Sequence, residues 1–257
     1  MDQISDQLSV QVVGGPTALI DYGGLRFLTD PTFDEPGDYE RPNGRPGLTK
    51  IAPPSANPAD LGRVDAVLLS HDEHPDNLDH SGRKLLADVP LTLTTPSGAG
   101  RLGGTAKGLE TWETVELDRP GGGVVTVTAA PALHGPNGAE KVTGEVVGFV
   151  LTGDGLPTVY VSGDNASLDV VRQVADRFGP VDTAVLFAGA PRLKPVFDGA
   201  LLVLDSALAA EATRILDART VVPVHIDSWN HFTEGRAELE AAFASAGLAD
   251  RLRPSRA

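Results

Sequence analysis

Four apolar runs that read as buried β-strands each end in a side chain able to ligate a metal, and few folds bring four such ends together. His71 follows Ala66-Val67-Leu68-Leu69-Ser70, His134 follows residues 125–133, Asp164 follows Val159-Tyr160-Val161-Ser162-Gly163, and His225 follows Thr220-Val221-Val222-Pro223-Val224. Strand ends facing one cleft suit a metal site, because ligands must be held to within about 0.5 Å by rigid elements. The first run leads into the densest polar segment, Ser70-His71-Asp72-Glu73-His74-Pro75-Asp76-Asn77-Leu78-Asp79. A single His or Asp at a strand end is ordinarily a hydrogen-bonded loop or capping residue. That account does not explain why Glu73, His74 and Asp76 crowd into the loop that holds His71.

Composition narrows what can hold the metal. With no cysteine, disulfides and thiolate zinc sites are excluded, and any transition metal must rest on imidazole and carboxylate. Those ligands suit Zn²⁺ first, and also Mn²⁺ or Fe²⁺. A formal charge of −14 without a basic run argues against a nucleic-acid partner and against adsorption to an anionic membrane. The 257 residues, 41 % hydrophobic and 22 % charged, fit one domain with a sizeable core. No stretch approaches the ~20 apolar residues of a membrane span, and residues 1–10 lack a basic segment followed by an apolar one. The expectation is a cytoplasmic protein, and assembly into a homo-oligomer is compatible with the sequence.

Strand-like and helix-like runs alternate, as in a mixed α/β sandwich. Strands are expected over 8–13, 18–22 and 26–29, with turns at Gly14-Gly15 and Gly23-Gly24, then over 64–69, 91–94, 124–130, 145–152, 158–162, 181–187 and 221–226. Helices are expected over 79–88, 168–178, 206–216 and 234–246, the second of them stopped by Gly179-Pro180. Residues 35–58 carry six prolines and no periodicity, which fits either a lid over the cleft or a poorly ordered excursion.

In chain order, Leu28-Thr29-Asp30-Pro31-Thr32-Phe33, the loop at 71–77, Pro131-Ala132-Leu133-His134-Gly135-Pro136, Tyr160-Val161-Ser162-Gly163-Asp164 and Pro223-Val224-His225 resemble the metallo-β-lactamase fold superfamily. Within it they are similar to the branch containing the L-ascorbate-6-phosphate lactonases. The likeness runs from about residue 8 to 240. It implies a four-layer αββα sandwich whose two sheets meet at a cleft for one or two metal ions. In that family a His-x-His-x-Asp-His loop supplies two ligands to the first ion and an Asp and a His to the second. A later His completes the first site, an Asp bridges, and a final His completes the second. By that resemblance His71 takes the first position, His134 the later one, Asp164 the bridge and His225 the last. Asp76 matches the loop aspartate, and would also orient the attacking water or accept its proton.

The loop departs from the family pattern in two ways. It is one residue longer, so the second histidine position falls on His74, which gives one ion three imidazoles, or on Glu73; His74 is favoured. Asn77 stands where the third loop histidine belongs, and an amide is a weaker ligand, so one firmly bound ion is expected and two are allowed. His231, on the loop after His225, is open between lining the cleft, supporting a ligand and a structural place. His80 reads as exposed, and Asp30 as a buried turn former supporting the ligands. The implied function is metal-assisted hydrolysis of a lactone, ester or amide bond in a small molecule. The alternatives are a phosphodiesterase of the same fold and a non-catalytic metal-binding or sensor protein. No Gly-x-Ser-x-Gly elbow occurs, which makes a serine hydrolase the poorer reading.

Overall fold

Alternate residues of the same strand belong to different cores in this chain, and that parity generates its layers. The structure is a computed structural model describing residues 7–40 and 47–254. The chain opens as a meander of β1 (Leu8–Gly14), β2 (Thr17–Tyr22) and β3 (Leu25–Thr29), then leaves the sheet for a hairpin of β4 (Gly37–Tyr39) and β5 (Leu48–Lys50). It returns as β6 (Ala66–Leu68), parallel to β3, and continues through α1 (His80–Leu85), β7 (Thr92–Thr94), α2 (Pro96–Leu102) and β8 (Ala106–Gly108). These strands form a six-stranded sheet of order β1-β2-β3-β6-β7-β8. A second six-stranded sheet starts with β9 (Thr114–Asp118), β10 (Val124–Pro131), the short α3 (Glu140–Thr143), β11 (Val147–Thr152) and β12 (Val159–Val161). Crossovers through α4 (Leu168–Phe178) and α5 (Ser206–Ile215) add β13 (Thr183–Phe187) and β14 (Thr220–Val224) in parallel, and α6 (Arg236–Ser245) follows.

In β13, Val185 and Phe187 join the core between the sheets, while Ala184 and Leu186 join the core under the helices. In β6, Ala66 and Leu68 face the other sheet, and Val67, with Leu69 just after the strand, lies in the outer core with Leu78 and Leu86. Val171 and Val174 of α4, Ala209 and Ala212 of α5, and Leu239 and Phe243 of α6 cover the second sheet. Strands buried on both faces read as continuous apolar runs for this reason. The result is the expected four-layer αββα sandwich. Among the described residues, no helix is long and apolar enough to cross a membrane.

Strand direction puts the ligand-bearing loops on one edge. β11 is antiparallel to both β10 and β12, and β12, β13 and β14 are parallel, so β10, β12 and β14 all end at the same side. The loop after β6 meets them there: the Val147 amide donates to the Ser70 carbonyl at 3.1 Å. Gly163 is required at that meeting. Its φ is +57°, and a Cβ would stand 2.7 Å from the Val147 carbonyl oxygen. The Tyr22 hydroxyl links the sheets elsewhere, 2.8 Å from the Pro157 carbonyl and 3.4 Å from that of Leu151.

Several elements were not expected from the sequence. β9 has the alternation of a half-exposed strand, with Val115 and Leu117 between Thr114, Glu116 and Asp118. α2 contains two glycines but carries a start signal, Thr95 capping the Gly98 amide with Pro96 at the first position. The described parts of the Pro-rich segment are tied down, whereas the expectation left open a poorly ordered excursion; its residues 41–46 lie outside the described residues. Lys50 Nζ is 3.2 Å from Asp79 Oδ2, with side-chain exposures of 1 % and 0 %. Asp79 also caps α1 through the Gly82 amide and accepts from the Asp34 amide, at 2.7 and 2.6 Å. The Asn230 amide donates to the Thr49 carbonyl at 3.0 Å and the Ile51 amide to the Ser228 carbonyl at 2.8 Å.

Removing one partner of a buried ion pair strands the other, at a cost of about 3–5 kcal/mol. Lys50→Met is expected to destabilise the protein by about 3 kcal/mol, the low end of that range, because Asp79 keeps its two amide donors. Urea unfolding with an unchanged m-value would read it. Gly163→Ala is expected to cost about 2 kcal/mol or more through positive φ and overpacking, read as a fall in Tm.

Candidate metal centre

His71, His74, His134 and Asp164 converge so that one ligand atom from each lies within 4.8 Å of all the others. His71 Nε2 stands 2.8 Å and His134 Nε2 3.3 Å from His74 Nδ1, and His134 Nε2 is 3.5 Å from Asp164 Oδ2. All four residues are buried. The far nitrogens are held from behind. His134 Nδ1 lies 2.8 Å from the Leu202 carbonyl, an acceptor, so it carries the proton and leaves a lone pair on Nε2. His71 Nδ1 lies 2.9 Å from Ser70 Oγ. Burial, with His74 and His134 alongside, drives the His71 pKa well below the ordinary value, so the ring is neutral, as a ligand must be.

A second group adjoins the first. His231 Nε2 and His225 Nε2 lie 3.0 and 3.3 Å from Asp76 Oδ2, and His225 Nε2 is 3.8 Å from Asp164 Oδ1. Burial works against the charged form of Asp76, but His231 and His225 outweigh it and hold the carboxyl well below the usual range. Burial opposes charge on His225 too, yet Asp164 and Asp76 raise its pKa. His225 sits at φ +58°, a left-handed conformation rare for a residue with a side chain, and Asp30 at +24°.

The polar atoms left over indicate what the centre is built for. Asp164 Oδ2, Asp76 Oδ1, both nitrogens of His225 and His231 Nδ1 are buried without a hydrogen-bond partner. A buried carboxylate oxygen with no donor is costly, and a divalent cation among imidazoles and carboxylates removes the cost. The donor set fits a borderline dication such as those named above.

Of the two contenders for the second loop position, His74 is the one whose ring enters the cluster. Glu73 turns outward, its side chain 38 % exposed and its Oε2 3.2 Å from Arg101. Asn77 acts as a donor: its Nδ2 is 3.3 Å from Asp164 Oδ1 and 3.4 Å from Asp30 Oδ2 and Ser70 Oγ. Asp30 has the supporting place expected, accepting the Ser70 amide at 2.6 Å. Burial pushes its carboxyl up to about 8, against the lowering effect of that bond. His80 is exposed, as expected, though its Nδ1 is 3.0 Å from Asp34 and its ring stacks on Tyr39.

Sequence reasoning missed Asn165. Its Oδ1 accepts from the Leu133 and Ser167 amides at 3.2 and 3.1 Å, and the Ala166 amide donates to the Leu133 carbonyl at 2.8 Å. These bonds clamp the loop of His134 to the loop of Asp164. The only local hint was a polar residue following Asp164.

The profile of the Beta-lactamase superfamily domain matches residues 25–226. A metal-dependent hydrolase of Methanosphaerula palustris is 30 % identical over 172 residues, covering 64 % of this chain and 69 % of that one. An N-acyl-phosphatidylethanolamine-hydrolyzing phospholipase D of Caenorhabditis elegans is 26 % identical over 241 residues, 88 % of this chain and 65 % of that one. In fold, the crystal structure of isothiocyanate hydrolase from Delia radicum gut bacteria is similar with a TM-score of 0.79, at 23 % identity, over 95 % of this chain and 94 % of that one. Taken with the buried imidazole and carboxylate cluster, these likenesses establish that the chain belongs to the β-lactamase superfamily and is a metal-dependent hydrolase of the metallo-β-lactamase fold.

Proposed function

We propose that this hydrolase cleaves a lactone, ester or amide bond of a small molecule, with Zn²⁺ as its metal in preference to Mn²⁺ or Fe²⁺. The observation that carries the reading is the ground beside His134. A cavity of about 270 Å³ opens there, lined by Thr95, Leu109, Leu133 and Val147 and bordered by Glu110, Glu140 and Glu145. Its size suits a small molecule. The three exposed glutamates repel an anion, so a neutral carbonyl compound is favoured over a phosphodiester. A phosphodiesterase is kept as the second reading because of the similarity to the nematode phospholipase D.

His71, His74, His134 and Asp164 would hold the ion. When bound there, a divalent cation supplies Lewis acidity, acidifying water and polarising the oxygen of the group under attack. The remaining work falls to the chain. Asp76 is kept ionised by His225 and His231 through Oδ2, which leaves Oδ1, buried and without a partner, to accept from water and aim its oxygen at the substrate. Leu109, Leu133 and Val147 keep bulk water from the bound substrate. Asn165 holds two ligand loops at a set separation.

Chelation is expected to abolish turnover on a panel of lactones, esters and amides, and added Zn²⁺ to restore it, with metal content followed by mass spectrometry. His71→Ala and His134→Ala should lower both metal content and kcat/KM. Asp76→Asn should cut kcat about 10²–10⁴-fold, the range for loss of a positioned acid–base group, while the cluster of His71, His74, His134 and Asp164 keeps its ion. Turnover confined to phosphodiesters would replace this reading with the second.

A further inference from the structure

We propose that Arg101 is a positioning residue of the metal centre: it holds the Glu73 carboxylate against Gly144, outside the ligand cluster, so that the ion meets the imidazole of His74 instead. This rests on the reading of His71, His74, His134 and Asp164 as a metal site, and adds to it the residue that sets which ligand the 71–77 loop presents.

Glu73 stands next to His74 in the chain and two residues from His71, and a dication attracts any ionised carboxylate that can reach it. The carboxylate of Glu73 already lies at the edge of the cavity beside His134. Gly144 lines that cavity, and a Cβ on Gly144 would collide with Glu73 Oε2. Glycine leaves the space free, and its φ of +86° favours glycine as well. Burial does not keep the carboxylate there, since 38 % of the side chain is exposed. Its ion pair does: Oε2 is 3.2 Å from Arg101.

Arg101 is itself fixed before it meets Glu73. Its Nε donates to both oxygens of the buried Asp72 carboxylate, at 3.1 and 3.0 Å, and the Arg83 guanidinium donates to the Asp72 carbonyl at 3.0 Å. Two-point contact orients the guanidinium plane, and one of its terminal nitrogens then reaches Glu73. α2 is shaped for the task. A Cβ on Gly98 would stand 3.2 Å from Asp72 Oδ1, so glycine lets the helix lie close on that carboxylate. Ser97, four residues before Arg101 and therefore on the same face, donates to Glu145 Oε2 at 2.6 Å. One face of α2 thus ties the loop after β6 to the cavity wall at Gly144 and Glu145. A lysine ammonium is a point charge and could not hold two carboxylates in this fixed relation.

The test is metal preference on the full chain. Zn²⁺ and Mn²⁺ affinities are measured on metal-stripped protein by competition with a chelating dye, and the absorption spectrum of the Co²⁺ form reports the ligand set. Arg101→Met is expected to lower the ratio of Zn²⁺ to Mn²⁺ affinity about 10-fold and to alter the Co²⁺ spectrum, because a carboxylate among the ligands favours the harder ion. Glu73→Gln alone should keep the wild-type values, and added to Arg101→Met it should restore them, which a purely structural role of Arg101 would not allow. Because Arg101→Met strands Asp72 and could misfold, Gly144→Ala offers a second route: its Cβ displaces the Glu73 carboxylate with Arg101 intact, and the same shift, again cancelled by Glu73→Gln, is expected. Wild-type crystals soaked in Zn²⁺ need no variant, and should show His74 on the ion with Glu73 still on Arg101. Glu73 on the ion in those crystals, an unchanged ratio and spectrum in the folded variants, or a shift that persists with Glu73→Gln would overturn the proposal. Failure of the wild type to bind any ion would bring down the proposed function too, whereas binding that is lost with His71→Ala and indifferent to Arg101→Met would sink this proposal alone.

Discussion

Two carboxylates, Asp76 and Asp164, lie buried where the edges of two β-sheets meet, and much of the surrounding structure makes that burial tolerable. An isolated ionised carboxylate taken out of water costs far more than a fold of this size can spare. The imidazoles of His134, His225 and His231, the amide of Asn77 and, when one is bound, a metal ion together meet the need. The same demand explains why the ligands come from separate strand ends: no single loop could surround two carboxylates with enough donors. It also explains the positive φ of His225, since strain of about 1–3 kcal/mol is small against an uncompensated charge.

Much of this was legible in the sequence, for a physical reason. Strands buried on both faces must be apolar throughout, so a polar ligand marks where each one ends, as at His71, His134, Asp164 and His225. The mixed α/β class followed from the alternation of strand and helix signals, and the four layers from the family resemblance. The elements that stayed hidden are short or half-exposed: α2 is diluted by glycines, β8 has three residues, and the β4–β5 hairpin sits among prolines. Spacing alone could not separate His74 from Glu73, because one extra residue in an irregular loop can be absorbed at either place. Packing separates them, through the outward pull of Arg101 on Glu73. Asn165 was obscured for another reason: its partner Leu133 lies on a separate segment, and a hydrogen bond across the fold leaves no local pattern.

The Pro-rich segment takes a place that neither a lid nor a loose excursion describes. Its hairpin is riveted to α1 by the Lys50–Asp79 pair and to the loop of residues 228–230 by backbone bonds. Proline there lowers the entropy lost on folding, which suits a brace. What it braces is the loop that holds His231 beside Asp76, so a stretch whose described residues contribute no side chain to the ligand cluster still helps to set the shape of the centre.

Tyr22 gives the sandwich an asymmetry. Where its hydroxyl reaches Pro157 and Leu151, the two sheets are fastened by hydrogen bonds written into the chain itself. At the cleft the Val147 amide also reaches the Ser70 carbonyl, but the ligand groups there repel or leave one another unsatisfied unless a cation lies between them, and those groups come from both sheets: His71 and His74 from one, His134 and Asp164 from the other. The binding energy of the ion is thus also cohesion between the layers. One end of the molecule is sewn shut and the other is buttoned, and the supply of metal determines how often the button is closed.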